Sequence, residues 1–123
     1  MELHESGQMY LESIHVLLQH SSQVRAIDVG EYLGYSKPSV SRALGILRKG
    51  GFLVVEDDGS LRLTERGREE AEKLYERHTV LSELLVSLGV DAETATKDAC
   101  RIEHVISDKT FDAIRNYLQR HTK

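Results

Sequence analysis

The sequence predicts a mainly α-helical protein with a small β-hairpin, arranged as a winged helix-turn-helix followed by a helical domain. Three observations support this prediction. Apolar residues recur at helical spacing along most of the 123 residues. Gly34 separates two short helical segments, where a tight turn is expected. The sequence Asp57-Asp58-Gly59-Ser60 lies between two short runs rich in leucine and valine, and it is a strong hairpin signal.

The first part of the chain contains five predicted elements. Tyr10, Leu11 and Ile14 recur at the spacing of an amphipathic helix. Ser36 is suited to cap the third helix, because Pro38 then falls in the first turn, where its missing N–H has no cost. The predicted elements are helices at about 7–20, 25–33 and 37–49 and strands at about 52–55 and 61–63.

The rest of the chain predicts a helical domain. Thr64 caps a long helix that ends before Gly89, where the glycine breaks the pattern. A second helix begins at Asp91 or Thr94 and is predicted to continue through position 104, and a last helix begins near position 107. We therefore predict two domains, a winged helix-turn-helix over residues 1–64 and a helical domain over residues 65–123.

Composition limits the class of protein. The chain is 40% hydrophobic and 29% charged, which is typical of a folded domain rather than a disordered one. No run of 18 apolar residues is present, and the first residues lack the basic and apolar regions of a signal peptide. A single cysteine cannot form an internal disulfide. We therefore expect a cytoplasmic protein without a membrane partner.

A basic segment coincides with the second helix of the predicted helix-turn-helix. Between positions 36 and 50 the charged residues are all basic, although the net charge of the chain is −4. In this motif the second helix enters the major groove with its N-terminal residues at the bases, so Val40 and Leu44 must face the core. We therefore expect double-stranded DNA as a partner.

The predicted DNA contacts divide into two kinds. Arg42 is the best candidate for reading a base, because a guanidinium matches the O6 and N7 edge of guanine. Lys37 and Arg62 are better suited to phosphates, which position the protein without specifying sequence. The alternative for each basic residue is a solvated surface charge. The predicted DNA-binding residues are Ser36, Lys37, Pro38, Ser39, Ser41, Arg42 and Arg62.

Three possible metal donors stand close together near the C-terminus. Cys100, Glu103 and His104 are spaced at i, i+3 and i+4, which places them on one face of a helix. A thiolate, a carboxylate and an imidazole together suit Fe(II), Co(II), Ni(II) or Zn(II) better than magnesium or calcium. One helix rarely completes such a site, and the further donors that the sequence offers are Met9, Glu12 and His78.

Each donor also has a purely structural interpretation. Met9 is suited to filling a core, and Cys100 to acting as a small buried apolar residue. Glu12 and His78 are residue types that commonly lie on a surface. It is the joint arrangement of the donors that favours a metal site.

Five segments of the chain carry a resemblance to a known family. The most specific is Ala99-Cys100-Arg101-Ile102-Glu103-His104-Val105-Ile106-Ser107-Asp108. The others are Met9-Tyr10-Leu11-Glu12-Ser13-Ile14, Ser36-Lys37-Pro38-Ser39-Val40-Ser41, Leu63-Thr64-Glu65-Arg66-Gly67 and Arg77-His78. On these segments, which span almost the whole chain, the protein resembles the metal-dependent transcriptional repressors related to the diphtheria toxin repressor and the manganese transport regulators.

The resemblance implies a homodimer that binds a palindromic operator when loaded with Fe(II) or Mn(II). It implies that the metal locks the first helix against the metal-binding helix. It further implies a short form of the family, without the usual SH3-like domain. The implied ligands are Met9, Cys100, Glu103 and His104 in the main site, His78 in a second site, and Glu12 as in manganese-type members.

Two positions depart from the iron-type pattern of the family. Ser82 stands where iron-type relatives carry a glutamate, and Thr96 where they carry a histidine. We therefore expect the second site to be weaker, or to be built from Glu12, His78 and a shared Glu103.

The main hypothesis is an Fe(II)-activated repressor, because the sulfur donors Met9 and Cys100 favour Fe(II) over the harder Mn(II). An Mn(II)-responsive repressor is the alternative within the family, and Co(II), Ni(II) or Zn(II) would serve as surrogates. A second alternative is a redox-sensing regulator that uses Cys100, although no resolving thiol is present. A metallohydrolase is disfavoured because the motifs of such enzymes are missing. We expect no enzymatic activity and no organic cofactor.

Overall fold

The computed structural model describes residues 5–121. These residues form six helices and one two-stranded antiparallel sheet, which confirms the predicted mainly helical class with a small hairpin. The elements are α1 (Glu5–His20), α2 (Ala26–Leu33), α3 (Lys37–Lys49), β1 (Leu53–Val55), β2 (Leu61–Leu63), α4 (Glu65–Ser87), α5 (Ala92–Ile102) and α6 (Asp108–His121).

The chain divides into two compact units. The first extends to Glu72 and the second begins at Lys73, so the boundary lies inside α4. The predicted domain division between Thr64 and Glu65 stays a prediction. Among the described helices, none is long and apolar enough to cross a membrane.

The helix-turn-helix of the first unit follows from local capping. The backbone N–H of Arg25 donates to the Asp28 carboxylate at 2.8 Å, which fixes the start of α2. Gly34 ends α2 in the left-handed conformation, at φ 74°, and its N–H donates to the carbonyl of Gly30. Ser36 then caps α3 by accepting a hydrogen bond from the N–H of Ser39. The tight turn between two helices therefore has a local chemical cause.

The wing is a short hairpin with a fixed register. Leu53 pairs with Leu63, Val54 with Arg62, and Val55 with Leu61. The Leu61 N–H also donates to the Val24 carbonyl at 2.7 Å, so the hairpin is tied to the connection before α2. The buried core of this unit comprises Tyr10, Leu11, Ile14, Val24, Val29, Val40, Leu44, Leu47, Phe52, Leu53, Leu61 and Ala71.

The start of α4 is held against the segment that leaves α3. The Thr64 hydroxyl donates to the carbonyl of Gly51 at 2.7 Å and accepts from the N–H of Gly67 at 3.0 Å. The guanidinium of Arg66 lies over the Phe52 ring, 4.3 Å from its centroid. A Cβ atom added at Gly67 would lie 2.0 Å from the Phe52 carbonyl oxygen. The close approach of the Phe52 backbone therefore explains why position 67 is a glycine.

The second unit corrects one sequence prediction. Asp91, one of the two predicted starting points, caps α5, but α5 ends at Ile102 instead of continuing through His104. Glu103 is the C-cap, and the following residues form a turn in which the Val105 N–H donates to the Ile102 carbonyl at 3.0 Å. Arg77 of α4 donates to the carbonyls of Glu103 and Ile106, and these contacts stabilise the turn in place of a further helical turn.

Candidate metal centre and nucleic-acid interface

Three donor side chains meet at the C-terminal end of α5. The possible ligand atoms of Cys100, Glu103 and His104 all lie within 4.8 Å of one another. The Glu103 side chain is fully buried, and that of His104 is 1% exposed. The predicted continuous helix ends before Glu103, but Glu103 keeps helical backbone angles as the C-cap, at φ −59° and ψ −25°. The donor atoms of the three residues therefore lie close together, as their spacing predicted.

Glu103 lies between two imidazoles. Its Oε2 atom is 3.0 Å from Nδ1 of His78, which α4 provides, and its Oε1 atom is 3.4 Å from Nε2 of His104. A carboxylate that is removed from water is stable only where hydrogen bonds or cations compensate it. Within the second unit, the buried Glu103 carboxylate is therefore shared by the group with Cys100 and His104 and by the contact with His78.

Arg77 fixes the turn that carries these donors. Its guanidinium donates to the carbonyl of Glu103 at 3.0 Å and to the carbonyl of Ile106 at 2.8 Å. It also pairs with the carboxylate of Asp108 at the start of α6. The two carbonyls lie beyond the last turn of α5 and need donors from elsewhere. In the sequence, Arg77 stands out only as the neighbour of His78, and no spacing signal indicates this role.

The donor set fits a transition metal ion. A thiolate, a carboxylate and imidazoles are the ligands that first-row divalent cations accept together, whereas calcium and magnesium prefer oxygen alone. The other two predicted ligands belong to the first unit, where Met9 and Glu12 lie partly buried on α1. Both therefore stay predictions as ligands.

The two positions that depart from the iron-type pattern offer no strong donor. Ser82 lies on α4, where its hydroxyl is buried and has no hydrogen-bond partner among the described residues. Thr96 is exposed on α5. Ser82 and Thr96 therefore do not supply the glutamate and histidine ligands of an iron-type second metal site.

The predicted DNA-contacting residues at the start of α3 are exposed to solvent. Val40, Leu44 and Leu47 turn into the core of the first unit, as predicted for the first two. The residues left exposed at the start of α3 are Ser36, Lys37, Pro38, Ser39, Ser41 and Arg42. This is the arrangement that a helix entering the major groove requires.

Three of the predicted DNA-binding residues have partners within the chain. Ser36 donates to the hydroxyl of Ser39 at 3.0 Å, so both serines take part in capping α3. Arg62 on β2 forms an ion pair with Glu56 at 3.1 Å, on the exposed face of the hairpin. A phosphate contact by Arg62 would have to compete with this pair.

Two family profiles match the sequence. The profile of the iron dependent repressor, N-terminal DNA binding domain, matches residues 2–61. That of the iron dependent repressor, metal binding and dimerisation domain, matches residues 64–123. The chain belongs to the iron-dependent repressor family. It carries both the DNA-binding domain of this family and its metal-binding and dimerisation domain, and the family resemblance seen in the sequence is confirmed.

Individual relatives agree with this assignment. Transcriptional regulator MntR of Escherichia coli O157:H7 is 34% identical over 112 residues, covering 91% of this repressor and 72% of the relative. HTH-type transcriptional regulator MntR of Lysinibacillus sphaericus is 33% identical over 110 residues, covering 89% and 79%. The family is one of transcriptional regulators, so at that level the chain is a regulator and not an enzyme.

Solved structures share the fold of this repressor. A manganese-dependent transcriptional repressor in complex with manganese is 28% identical, with a TM-score of 0.83, over 92% of this chain and 52% of that one. The metal-dependent transcriptional regulator MtsR has a TM-score of 0.85 over 92% of this chain and 53% of that one, at 23% identity. The repressor thus spans about half the length of these two chains.

Proposed function

We propose that the chain is an Mn(II)-responsive transcriptional repressor that binds a palindromic DNA operator as a homodimer. The observation that carries this proposal is the group of Cys100, Glu103 and His104, with His78 in contact with the buried Glu103, in a chain that also exposes basic residues on α3. The choice of Mn(II) draws support from the MntR relatives and from the manganese-bound repressor of similar fold.

Met9 and Glu12 complete the ligand set in this proposal. With Glu12 and Glu103, the set contains two carboxylates, and oxygen donors suit the hard ion Mn(II). A divalent cation bound by these residues would supply the positive charge that their carboxylate and thiolate groups need. Met9 and Glu12, once bound to the ion, fix the position of α1. Because α1 packs against both α2 and α3 within the first unit, its position affects DNA binding.

The DNA-binding role is assigned to the exposed residues of α3. Arg42 reads a base through its guanidinium, while Lys37 and, after release from Glu56, Arg62 contact phosphates. A dimer presents two such helices to successive half-sites of the operator. Metal and DNA then favour the same state of the protein, so each must tighten the binding of the other by the same factor.

An Fe(II)-responsive repressor is the second candidate. It is favoured by one observation, the thiol of Cys100 within 4.8 Å of the donor atoms of Glu103 and His104. A thiolate is a softer ligand than a carboxylate and increases the preference for Fe(II) over Mn(II). The original hypothesis of iron therefore retains a chemical basis, although the named relatives favour manganese.

A DNA-binding titration separates the two metals. A duplex would be selected from a random library with the chain and Mn(II), and its binding would then be titrated with Mn(II) and with Fe(II) in the absence of oxygen. Activation at a lower free concentration of Mn(II) supports the manganese proposal, whereas activation at a lower concentration of Fe(II) supports the second candidate. Equal DNA binding with and without either ion would refute both.

A further inference from the structure

Tyr35 connects α1 to the turn of the helix-turn-helix. Its hydroxyl donates a hydrogen bond to Sδ of Met9, with 3.4 Å between the two atoms. Its backbone N–H donates to the carbonyl of Gly30 at 3.1 Å, and the next residue, Ser36, is the cap of α3. A single residue therefore contacts a thioether of α1 and stands at the entrance to the helix that faces DNA.

A neighbouring ring holds Tyr35 in this orientation. The rings of Tyr10 and Tyr35 pack with centroids 5.8 Å apart and planes tilted by 54°. Burial raises the pKa of Tyr10, and the nearby Tyr35 raises it further, so Tyr10 packs as a neutral ring. The cleft beside this pair is also lined by Ser39 and Arg42 of α3. The tyrosine pair thus borders a cleft that reaches the exposed start of α3.

We propose that Tyr35 is a positioning residue whose hydroxyl competes with a divalent metal ion for the Met9 sulfur. This proposal rests on the proposed function, in which Met9 is a ligand. The hydrogen of the hydroxyl and a cation both carry positive charge, and both draw on the lone pairs of the same thioether. Each therefore disfavours the other. By linkage, the Tyr35 hydrogen bond weakens metal binding by the same factor by which metal binding weakens the hydrogen bond.

Through this competition, metal binding at Met9 affects the residues at the start of α3. Tyr35 is 45% exposed, so a hydroxyl released from Met9 becomes a donor on the surface of the turn. It stands next to Ser36, the first of the predicted DNA-contacting residues. Metal binding at the Met9 sulfur thereby changes the hydrogen bonding of the turn that faces DNA. The Tyr35 side chain transmits this change, and the packing of α2 on α3 need not change.

The first part of the test concerns the chain after removal of metal by a chelator. Substitution Tyr35→Phe removes only the hydroxyl and keeps the ring that packs on Tyr10. In chain labelled with ¹³C at the methionine methyl groups, the Met9 methyl resonance, assigned with Met9→Leu, is expected to shift in Tyr35→Phe. Tyr32→Phe is the matched control, because Tyr32 lies exposed on α2, and it is expected to leave the resonance in place.

The second part measures Mn(II) affinity from the electron paramagnetic resonance signal of the free ion. Tyr35→Phe is expected to bind Mn(II) roughly two- to fivefold more tightly, the range expected for one modest hydrogen bond. Tyr32→Phe should match the wild type. In a Met9→Leu background, Tyr35→Phe should have no effect, because the competing sulfur is absent.

The outcomes are distinct. A Met9 methyl resonance that does not move, or a Tyr35→Phe variant whose Mn(II) affinity is unchanged or weaker beside a wild type that binds the ion, would overturn the role of Tyr35 alone. A wild-type chain that takes up no Mn(II) would overturn the proposed function, and the metal role of Tyr35 with it.

Discussion

The imidazole of His78 and the carboxylate of Glu103 are in hydrogen-bond contact, with 3.0 Å between Nδ1 and Oε2. The contact joins α4 to the end of α5, across 25 positions of the sequence. Together with His104 and Cys100 it makes Glu103 the centre of the donor cluster. Glu103 is therefore the residue whose charge should matter most for metal binding.

Substitution Glu103→Gln tests this central position. It keeps the volume and most hydrogen-bonding capacity but removes a charge that a cation needs, so Mn(II) affinity should fall at least about tenfold. The metal-free variant should be as stable as the wild type or more stable, because a buried carboxylate is removed. Calorimetric titration with Mn(II) and thermal unfolding after chelation measure the two effects. Unchanged metal affinity would contradict the assignment.

Arg77→Met tests the support of the turn. The substitution leaves the carbonyls of Glu103 and Ile106 without their donor, so we expect a loss of about 1–3 kcal/mol in the free energy of unfolding. The guanidinium groups of Arg77 and Arg115 both lie over the Phe111 ring, 5.6 and 5.4 Å from its centroid. Arg115→Met is therefore the matched control, since Arg115 pairs with carboxylates at the surface. The free energy of unfolding of Arg115→Met should fall by no more than about 1 kcal/mol. Equal losses in urea denaturation would contradict the role of Arg77.

Gly67→Ala tests the close approach of α4 to Phe52. A Cβ atom at this position would lie 2.0 Å from a backbone oxygen that cannot move alone, so a loss of roughly 1–3 kcal/mol is expected. Gly45→Ala is the control within α3, where no atom lies within 4 Å of the added carbon. That change should be neutral or stabilising by up to about 1 kcal/mol. Urea denaturation of both variants gives the comparison, and similar effects would refute the explanation.

Asp108 should give stability a dependence on acid pH. A hydrogen bond from Lys73, followed by the charges of Lys73 and Arg77, lowers the pKa of this carboxyl. Its stabilising contribution is therefore complete above the ordinary pKa of an aspartate and is lost as the pH falls through the lowered value. The difference in melting temperature between wild type and Asp108→Asn should be largest near neutral pH and disappear in acid. A difference that does not vary with pH would contradict this.

The two arginines of the proposed DNA surface should behave differently. Arg42→Ala is expected to relax base preference, with a cost of about 1–3 kcal/mol on the selected duplex and little on random DNA. Arg62→Ala should weaken binding to all duplexes and reduce the slope of affinity against salt by about one. Equal effects of the two changes on selected and random duplexes would refute the division of roles.

Much of the first unit could be predicted because its signals are local. Gly34, Ser36 and Pro38 each have a capping or turn preference that acts within four residues. The turn around Gly59, at φ 87°, likewise follows from the residues that form it. Such preferences are visible in a sequence, so the helix-turn-helix and the hairpin were placed close to their observed bounds.

The candidate site was less predictable because its geometry is tertiary. The end of α5 at Ile102 depends on where α6 begins and on carbonyls that Arg77 holds from α4. The contact between Tyr35 and Met9 likewise joins segments that no periodicity relates. Spacing could name donors such as Cys100, but it could not show which side chains fix them.

The most direct test of the central claim is the reciprocity of metal and DNA binding. The affinity for the selected duplex would be measured with and without saturating Mn(II), and the affinity for Mn(II) with and without the duplex. We expect Mn(II) to tighten DNA binding, and the duplex to tighten Mn(II) binding by the same factor, typically about 5- to 150-fold. DNA affinity that does not change with Mn(II) would contradict the account of a metal-responsive repressor.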